Sequence, residues 1–338
     1  MKYVKPLPAN EVSGLTSQIY KQIKNDFGAL VDPFLLHSAS PDLLAGIWCA
    51  CRESLVAGKV RRELKEAVAA TVSRINQCPY CVDAHTIMLH STASHQSAEA
   101  IMHQKDHQIT DPEMRDLVSW AAATRSPESQ IITNPPFSKT DSPEIIGTAV
   151  VFHYINRMVT VLLDETPLPS KNRFFKQSLK RVAGWFFSRA MQRPKIPGTS
   201  LEFLPEASLP IDLEWATPSP NVAGAFARFA FVIENDVMDD LPKDVFIWAS
   251  EKINQWDGSD PELGRGWVDE ATKELDSTTR IVAKMLLLTA FAPYQIDDTL
   301  VHSFTDSFPG EEKLLSTLAW ASFTTARRIG SWLQTSDS

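Results

Sequence analysis

Cys78, Cys81 and His85 stand three and four residues apart, and Glu66 lies twelve residues ahead of the first cysteine. If a helix starts at Pro79, with Gln77 or Cys78 as its cap, the two thiols and the imidazole project from one face. Cys81 then sits in the first turn, where unpaired N–H groups and the helix dipole favour a thiolate. His85 can accept the thiol proton directly or through a water. Glu66, on the preceding helix, can hold the imidazole in the useful tautomer. The set contains a nucleophile, a base and an orienting carboxylate, with a second thiol at Cys78 placed to resolve an oxidised Cys81.

Two other readings compete. Cys-x-x-Cys also occurs in zinc sites, and Cys49 and Cys51 could join Cys78, Cys81 and His85 as ligands. Cys49-Ala-Cys51 lies in a helix-like stretch, however, where residues two apart face different ways. The blander alternative is a set of inert core thiols. Redox chemistry is favoured over both, and no metal or other cofactor is expected.

The elements that must position these groups are helices. Leu15–Asp26, Ala45–Ala57, Arg61–Ile75, Val82–His90, Ser97–Gln104, Pro112–Thr124 and Pro143–Leu163 suit helices by length, propensity or apolar spacing. Ser40-Pro41-Asp42, Thr110-Asp111-Pro112-Glu113 and Asp141-Ser142-Pro143-Glu144 are start signals, each with a cap residue near a first-turn proline. No alternating strand pattern stands out. The expected fold class is all-α.

With 43% apolar and 22% charged residues, the 338-residue chain has the composition of a globular protein. No apolar run is expected to reach the roughly 18 residues needed for a membrane span, and the first residues do not read as a secretory signal. Four cysteines are too few for a disulfide scaffold, so a cytoplasmic location is expected. A net charge of -8 argues against a nucleic-acid partner. That charge is unevenly spread: residues 1–170 carry -3, residues 171–195 carry +8 and residues 196–338 carry -13. The expected division is a first unit at 1–165, a basic connector helix at 166–199 and a second unit at 200–338. Arg173-Phe174-Phe175-Lys176 to Trp185-Phe186-Phe187 could touch an anionic membrane, but burial against the acidic second half is the better reading.

The two units share short anchors. Ile47-Trp48 recurs as Ile247-Trp248, Ser119-Trp120-Ala121 as Ala319-Trp320-Ala321, and Pro79-Tyr80-x-Val82-Asp83 as Pro293-Tyr294-x-Ile296-Asp297. The order is kept, which points to a diverged tandem duplication whose paired anchors should share packing environments. In the second copy Ala292, Gln295, Thr299 and Arg280 replace Cys78, Cys81, His85 and Glu66, so only the first is equipped for chemistry.

Among the eight histidines, His103 and His107 read as surface or boundary residues rather than metal ligands. His153 and Tyr154 could line a substrate pocket, though core packing is the better reading.

The Glu66/Cys78/Cys81/His85 pattern, with the later Phe152-His153-Tyr154-Ile155-Asn156-Arg157, resembles the AhpD-like alkyl hydroperoxidases of the carboxymuconolactone decarboxylase family over residues from about 30 to 165. The resemblance implies an AhpD-like helical fold and homo-oligomers, and with the recurring anchors the expected architecture is all-α in two tandem AhpD-like repeats. It makes Cys81 the peroxidatic thiol, Cys78 its resolving partner, His85 the base and Glu66 its orienter. It also implies a peroxide substrate, alkyl hydroperoxide or hydrogen peroxide. The external dithiol reductant would be of lipoyl, thioredoxin or peroxiredoxin type. Tyr80 departs from members that carry a histidine just before the second cysteine. The alternatives are a general disulfide oxidoreductase and a redox-sensing scaffold.

Overall fold

The computed structural model describes residues 1–91, 95–163, 193–235 and 241–334, and no strand occurs among them. Helices α1 (Gly14–Asp26), α2 (Asp32–Leu35) and α3 (Pro41–Cys51) lead into a π-turn at Arg52–Val56. The next are α4 (Arg62–Ile75), α5 (Pro79–Ser91), α6 (His95–Met102), α7 (Pro112–Ala122), α8 (Gln130–Thr133) and α9 (Ser142–Leu162). The second half contains α10 (Pro220–Asn235), α11 (Lys243–Asn254), α12 (Gly266–Ala271), α13 (Ser277–Phe291), α14 (Asp298–Ser307) and α15 (Glu311–Trp332).

The start signals act largely as the residue types dictate. Ser40 Oγ accepts from Leu43 N at 3.3 Å, and an Asp111 carboxylate oxygen accepts from Met114 N at 3.3 Å. Asp141 does not cap α9; it accepts from Ser138 Oγ at 2.6 Å instead. The helix expected over Ala45–Ala57 starts earlier, at Pro41, and its last turn widens into the π-turn.

α9 is the central element. Contrary to the sequence expectation, it is long and apolar enough by length and composition to cross a membrane. Nearly all of it is buried within the protein, packed against α4, α3 and α15. The second half shares this core. α10 packs on α3, where a Cβ on Gly46 would meet the Phe229 ring at 2.6 Å. Phe229 in turn sits 5.1 Å from Tyr154 and 4.3 Å from Phe323 between ring centroids. Each such buried ring contributes roughly 1.5–3 kcal/mol of apolar transfer energy.

Two of the three recurring anchors land in unlike surroundings. Trp120 and Trp320 are both buried, but Ile47 is fully buried while Ile247 is 64% exposed. Tyr80 is buried and Tyr294 half exposed, because Tyr294 lies on a one-turn helix at the rim rather than at the head of a core helix. The expectation of matched packing environments therefore fails for these pairs. The basic connector lies outside the described residues except at its end, where Lys195 stands 3.8 Å from Asp26.

Candidate active site

α4 and α5 form an antiparallel hairpin that presents the predicted groups. α4 ends in a Schellman turn: Gln77 takes φ +54, its N–H reaches Arg74 O at 3.0 Å, and Cys78 N–H reaches Ser73 O at 2.9 Å. Cys78 thereby closes α4 and opens α5 at once, since Val82 N–H donates to Cys78 O at 3.1 Å. Cys81 lies in the first turn and His85 one turn further on.

His85 Nδ1–H donates to Glu66 Oε2 at 2.5 Å, leaving Nε2 as the basic nitrogen. The other Glu66 oxygen accepts from Arg62 Nε at 2.6 Å. Burial alone would raise the Glu66 carboxyl, but the Arg62 charge and the His85 contact hold it below its ordinary value. The Phe152 ring meets the His85 ring edge to face at 4.4 Å, which fixes the imidazole plane.

Cys81 and His85 open onto one cavity of about 310 Å³, walled mainly by Phe27, Leu30, Phe34, Met88, Phe152 and Ile155. Cys78 is not among its walls. It borders a second cavity of about 280 Å³, with Thr160 of α9 and Pro293, Tyr294 and Ile296 of the second half. Tyr80 borders both cavities, and its hydroxyl donates to Asp32 Oδ2 at 3.3 Å. Burial, and then the Asp32 charge, push the Tyr80 hydroxyl up, so it stays a donor.

Both thiols are buried, and each shifts the titration of the other. Burial pushes Cys81 well up, helped by its hydrogen bond to Cys78 and the charge there. Cys78 is held below its ordinary value despite burial. The Cys81 S–H and backbone N–H and the Asn156 amide favour its thiolate. The first charge on the pair thus rests on Cys78.

Asn156 and Thr160, which the sequence reading did not mark as candidates, lie beside the thiols. They are one turn apart on α9, and Asn156 contacts both thiols. Its orientation is fixed: Asn156 Oδ1 accepts from Asn76 Nδ2 at 3.0 Å, and its Nδ2 donates to Ser73 Oγ at 3.0 Å. Polar residues on an otherwise apolar buried helix were the available signal. Arg62, which anchors Glu66, was equally unmarked.

The remaining candidates do not join the site. His153 accepts from Asn76 at Nδ1 and donates to Thr124 Oγ1 from Nε2, both at 3.0 Å. It is a satisfied core histidine, held neutral by burial and the Arg157 charge. The cavity walls from that helix are instead Phe152 and Ile155. Cys49 donates to Ser200 O at 3.0 Å while Cys51 faces the His85 cavity, and burial pushes both thiols up to about 12. The four sulfurs do not converge, and no group of three or more ligating side chains among the described residues could hold a metal.

Comparison with known proteins covers the same stretch of chain. Residues 42–123, which hold α3 to α7 and all four predicted groups, match the model of the carboxymuconolactone decarboxylase family. The chain is also 36% identical over 333 residues to alkyl hydroperoxide reductase Rv2159c of Mycobacterium tuberculosis, an alignment covering 98% of this chain and 95% of that protein. A relative of that identity, matched almost end to end, shows that the chain belongs to the carboxymuconolactone decarboxylase family as an AhpD-like member.

Proposed function

We propose that this protein is a thiol-dependent peroxidase that reduces alkyl hydroperoxides through a Cys78–Cys81 dithiol/disulfide cycle. The observation that carries this reading is the shared cavity. Cys81 faces an apolar chamber beside a histidine whose far nitrogen is tied to a buried carboxylate. The name of the 36% identical relative supports the same reaction class.

In the reduced enzyme one proton of the pair passes to His85 Nε2, and the charge rests on Cys78. A proton shift from Cys81 Sγ to Cys78 Sγ moves the charge to the cavity side. The Cys81 thiolate then attacks the terminal peroxide oxygen. An S–O bond forms, the O–O bond breaks, and the alkoxide leaves with the His85 proton as an alcohol. Cys78 attacks the resulting sulfenic acid, forming the S–S bond, and the departing hydroxide takes the Cys78 proton to become water. An external dithiol restores the pair. The apolar walls favour an organic peroxide over hydrogen peroxide, since the alkyl group is removed from water on entering.

The second half is read as a copy without the chemistry. α13 running into Pro293-Tyr294, as α4 runs into Cys78-Pro79-Tyr80, supports this, although the burial of paired anchors differs.

The test is saturable consumption of cumene hydroperoxide with dihydrolipoamide as reductant, together with mass-spectrometric detection of a Cys78–Cys81 disulfide after peroxide exposure. Absence of the disulfide, or consumption that persists in Cys81→Ser, would overturn the proposal.

A further inference from the structure

Each sulfur of the pair borders its own cavity, and the second half supplies part of the Cys78 side only. We infer that the cavity at Cys78 is the reductant's docking site, that its ligand is a slender dithiol, and that Pro293, Tyr294 and Ile296 shape its mouth. This rests on the proposed cycle and adds to it a separate face for the reductive half-reaction.

Three observations carry the inference. Cys78 is 1% exposed, so its sulfur lies beneath the surface on the wall of a cavity of about 280 Å³. A folded protein presenting a surface dithiol does not reach such a sulfur without opening the protein, whereas a small or arm-borne dithiol does. The mouth is also built from three distant segments. Lys2 N–H donates to Leu162 O at 2.8 Å and the Tyr3 hydroxyl to Asp298 Oδ1 at 2.5 Å, pinning the N-terminal stretch as one wall. Tyr294 also borders this cavity and is 51% exposed, although its sequence counterpart Tyr80 is buried. Finally, the cavity at Cys81 is the one that holds His85, so a peroxide and a dithiol entering by separate mouths reach different sulfurs.

The exchange balances. One thiolate of the donor attacks Cys78 Sγ of the disulfide, the Cys78–Cys81 bond breaks, and Cys81 leaves and takes up a proton. The donor is now joined to Cys78. The donor's second thiol loses a proton and attacks the donor sulfur of that mixed disulfide, releasing Cys78 as the thiolate that Asn156 stabilises. Two electrons pass to the enzyme and the donor departs as a cyclic disulfide.

The experiment measures each half-reaction alone on the full chain. The disulfide is prepared with diamide, so the reductive step is read even in a protein that peroxide fails to oxidise; failure of the peroxidase reading is then seen separately. Ile296→Trp, which narrows the mouth, is expected to slow reduction by dihydrolipoamide about tenfold or more through lost access. Oxidation by cumene hydroperoxide should stay within about twofold of the parent. Tyr294→Glu, on an exposed rim where folding is not at stake, should slow the same step severalfold by repelling the incoming thiolate, with salt relieving the effect. Labelling of Cys78 in Cys81→Ser by a small aromatic disulfide should fall in Ile296→Trp, while labelling of Cys81 in Cys78→Ser should not. Unchanged reduction in both mouth variants would overturn the inference, as would equal slowing of both half-reactions. Faster reduction by a folded thioredoxin than by dihydrolipoamide would overturn the assignment of a slender donor.

Discussion

Glu66 Oε2 and His85 Nδ1 stand 2.5 Å apart across the α4–α5 hairpin, and Arg62 grips the second carboxylate oxygen one turn away. The chain of guanidinium, carboxylate and imidazole is built on two rigid elements and ends at the wall of an apolar cavity. Its electrostatics and its stability are therefore linked.

Glu66→Gln should destabilise the protein by about 2 kcal/mol at neutral pH, because Arg62 loses its charge partner in a largely buried place. The pH dependence follows from the sign of the shift. The folded Glu66 carboxyl lies below its ordinary 4.5, so its stabilisation is complete above that value and is lost as pH falls through the folded one. Thermal denaturation from pH 7 to pH 3 should show a steeper acid decline for the parent than for Glu66→Gln. Parallel curves would contradict the assignment.

His85→Ala should lower kcat/KM for cumene hydroperoxide by about a hundredfold while leaving the helical circular dichroism unchanged. The same variant should slow iodoacetamide alkylation of the pair near neutral pH. Alkylation as fast as in the parent would mean that the helix terminus and Asn156 alone activate the thiols.

The two thiols should fail differently. Cys81→Ser should abolish peroxide turnover, whereas Cys78→Ser should accumulate a sulfenic acid on Cys81 that dimedone traps. Dimedone found on Cys78 in the Cys81→Ser protein, with turnover retained, would reverse the roles.

Ala84→Phe places a ring in the cavity that Cys81 and His85 share. Turnover of cumene hydroperoxide should fall about tenfold or more, with hydrogen peroxide affected much less. Equal losses for both peroxides would show that the chamber does not select the alkyl group.

Gln77 adopts φ +54 at the Schellman turn that places Cys78. Gln77→Gly relieves a left-handed conformation that costs an L-residue roughly 1–2 kcal/mol and forfeits about 0.5–1 kcal/mol of chain entropy, so it should be neutral or slightly stabilising. Gln77→Val should be clearly destabilising, since a branched Cβ resists this region. Urea denaturation separates the two.

The hairpin was legible in the sequence because its chemistry is local. The spacing of Cys78, Cys81 and His85 implies one helix face, and Glu66 was within reach on any antiparallel neighbour. Ser40 and Asp111 announced their helices through side-chain chemistry that acts within three residues. What was not legible depends on tertiary placement. Asn156 and Thr160 look like interruptions of an apolar helix until α9 is laid against the cysteines. The partition of the two sulfurs between two cavities depends on Tyr294 and Ile296, more than 200 residues away. The recurring dipeptides misled about burial, because a shared residue type says nothing of whether a neighbour covers it.

α9 borders both chambers at once: Phe152 and Ile155 face one, Val159 and Thr160 the other, and Asn156 holds the sulfurs between them. A helix moves as a rod, so a substitution that reshapes one wall shifts the opposite wall as well. Selection for a new peroxide would then carry hidden effects on donor preference, and pairs of mutations along this helix should show strong epistasis. Laboratory evolution of the protein would advance in coupled steps, with changes at Phe152 or Ile155 opening or closing the paths available at Val159 and Thr160.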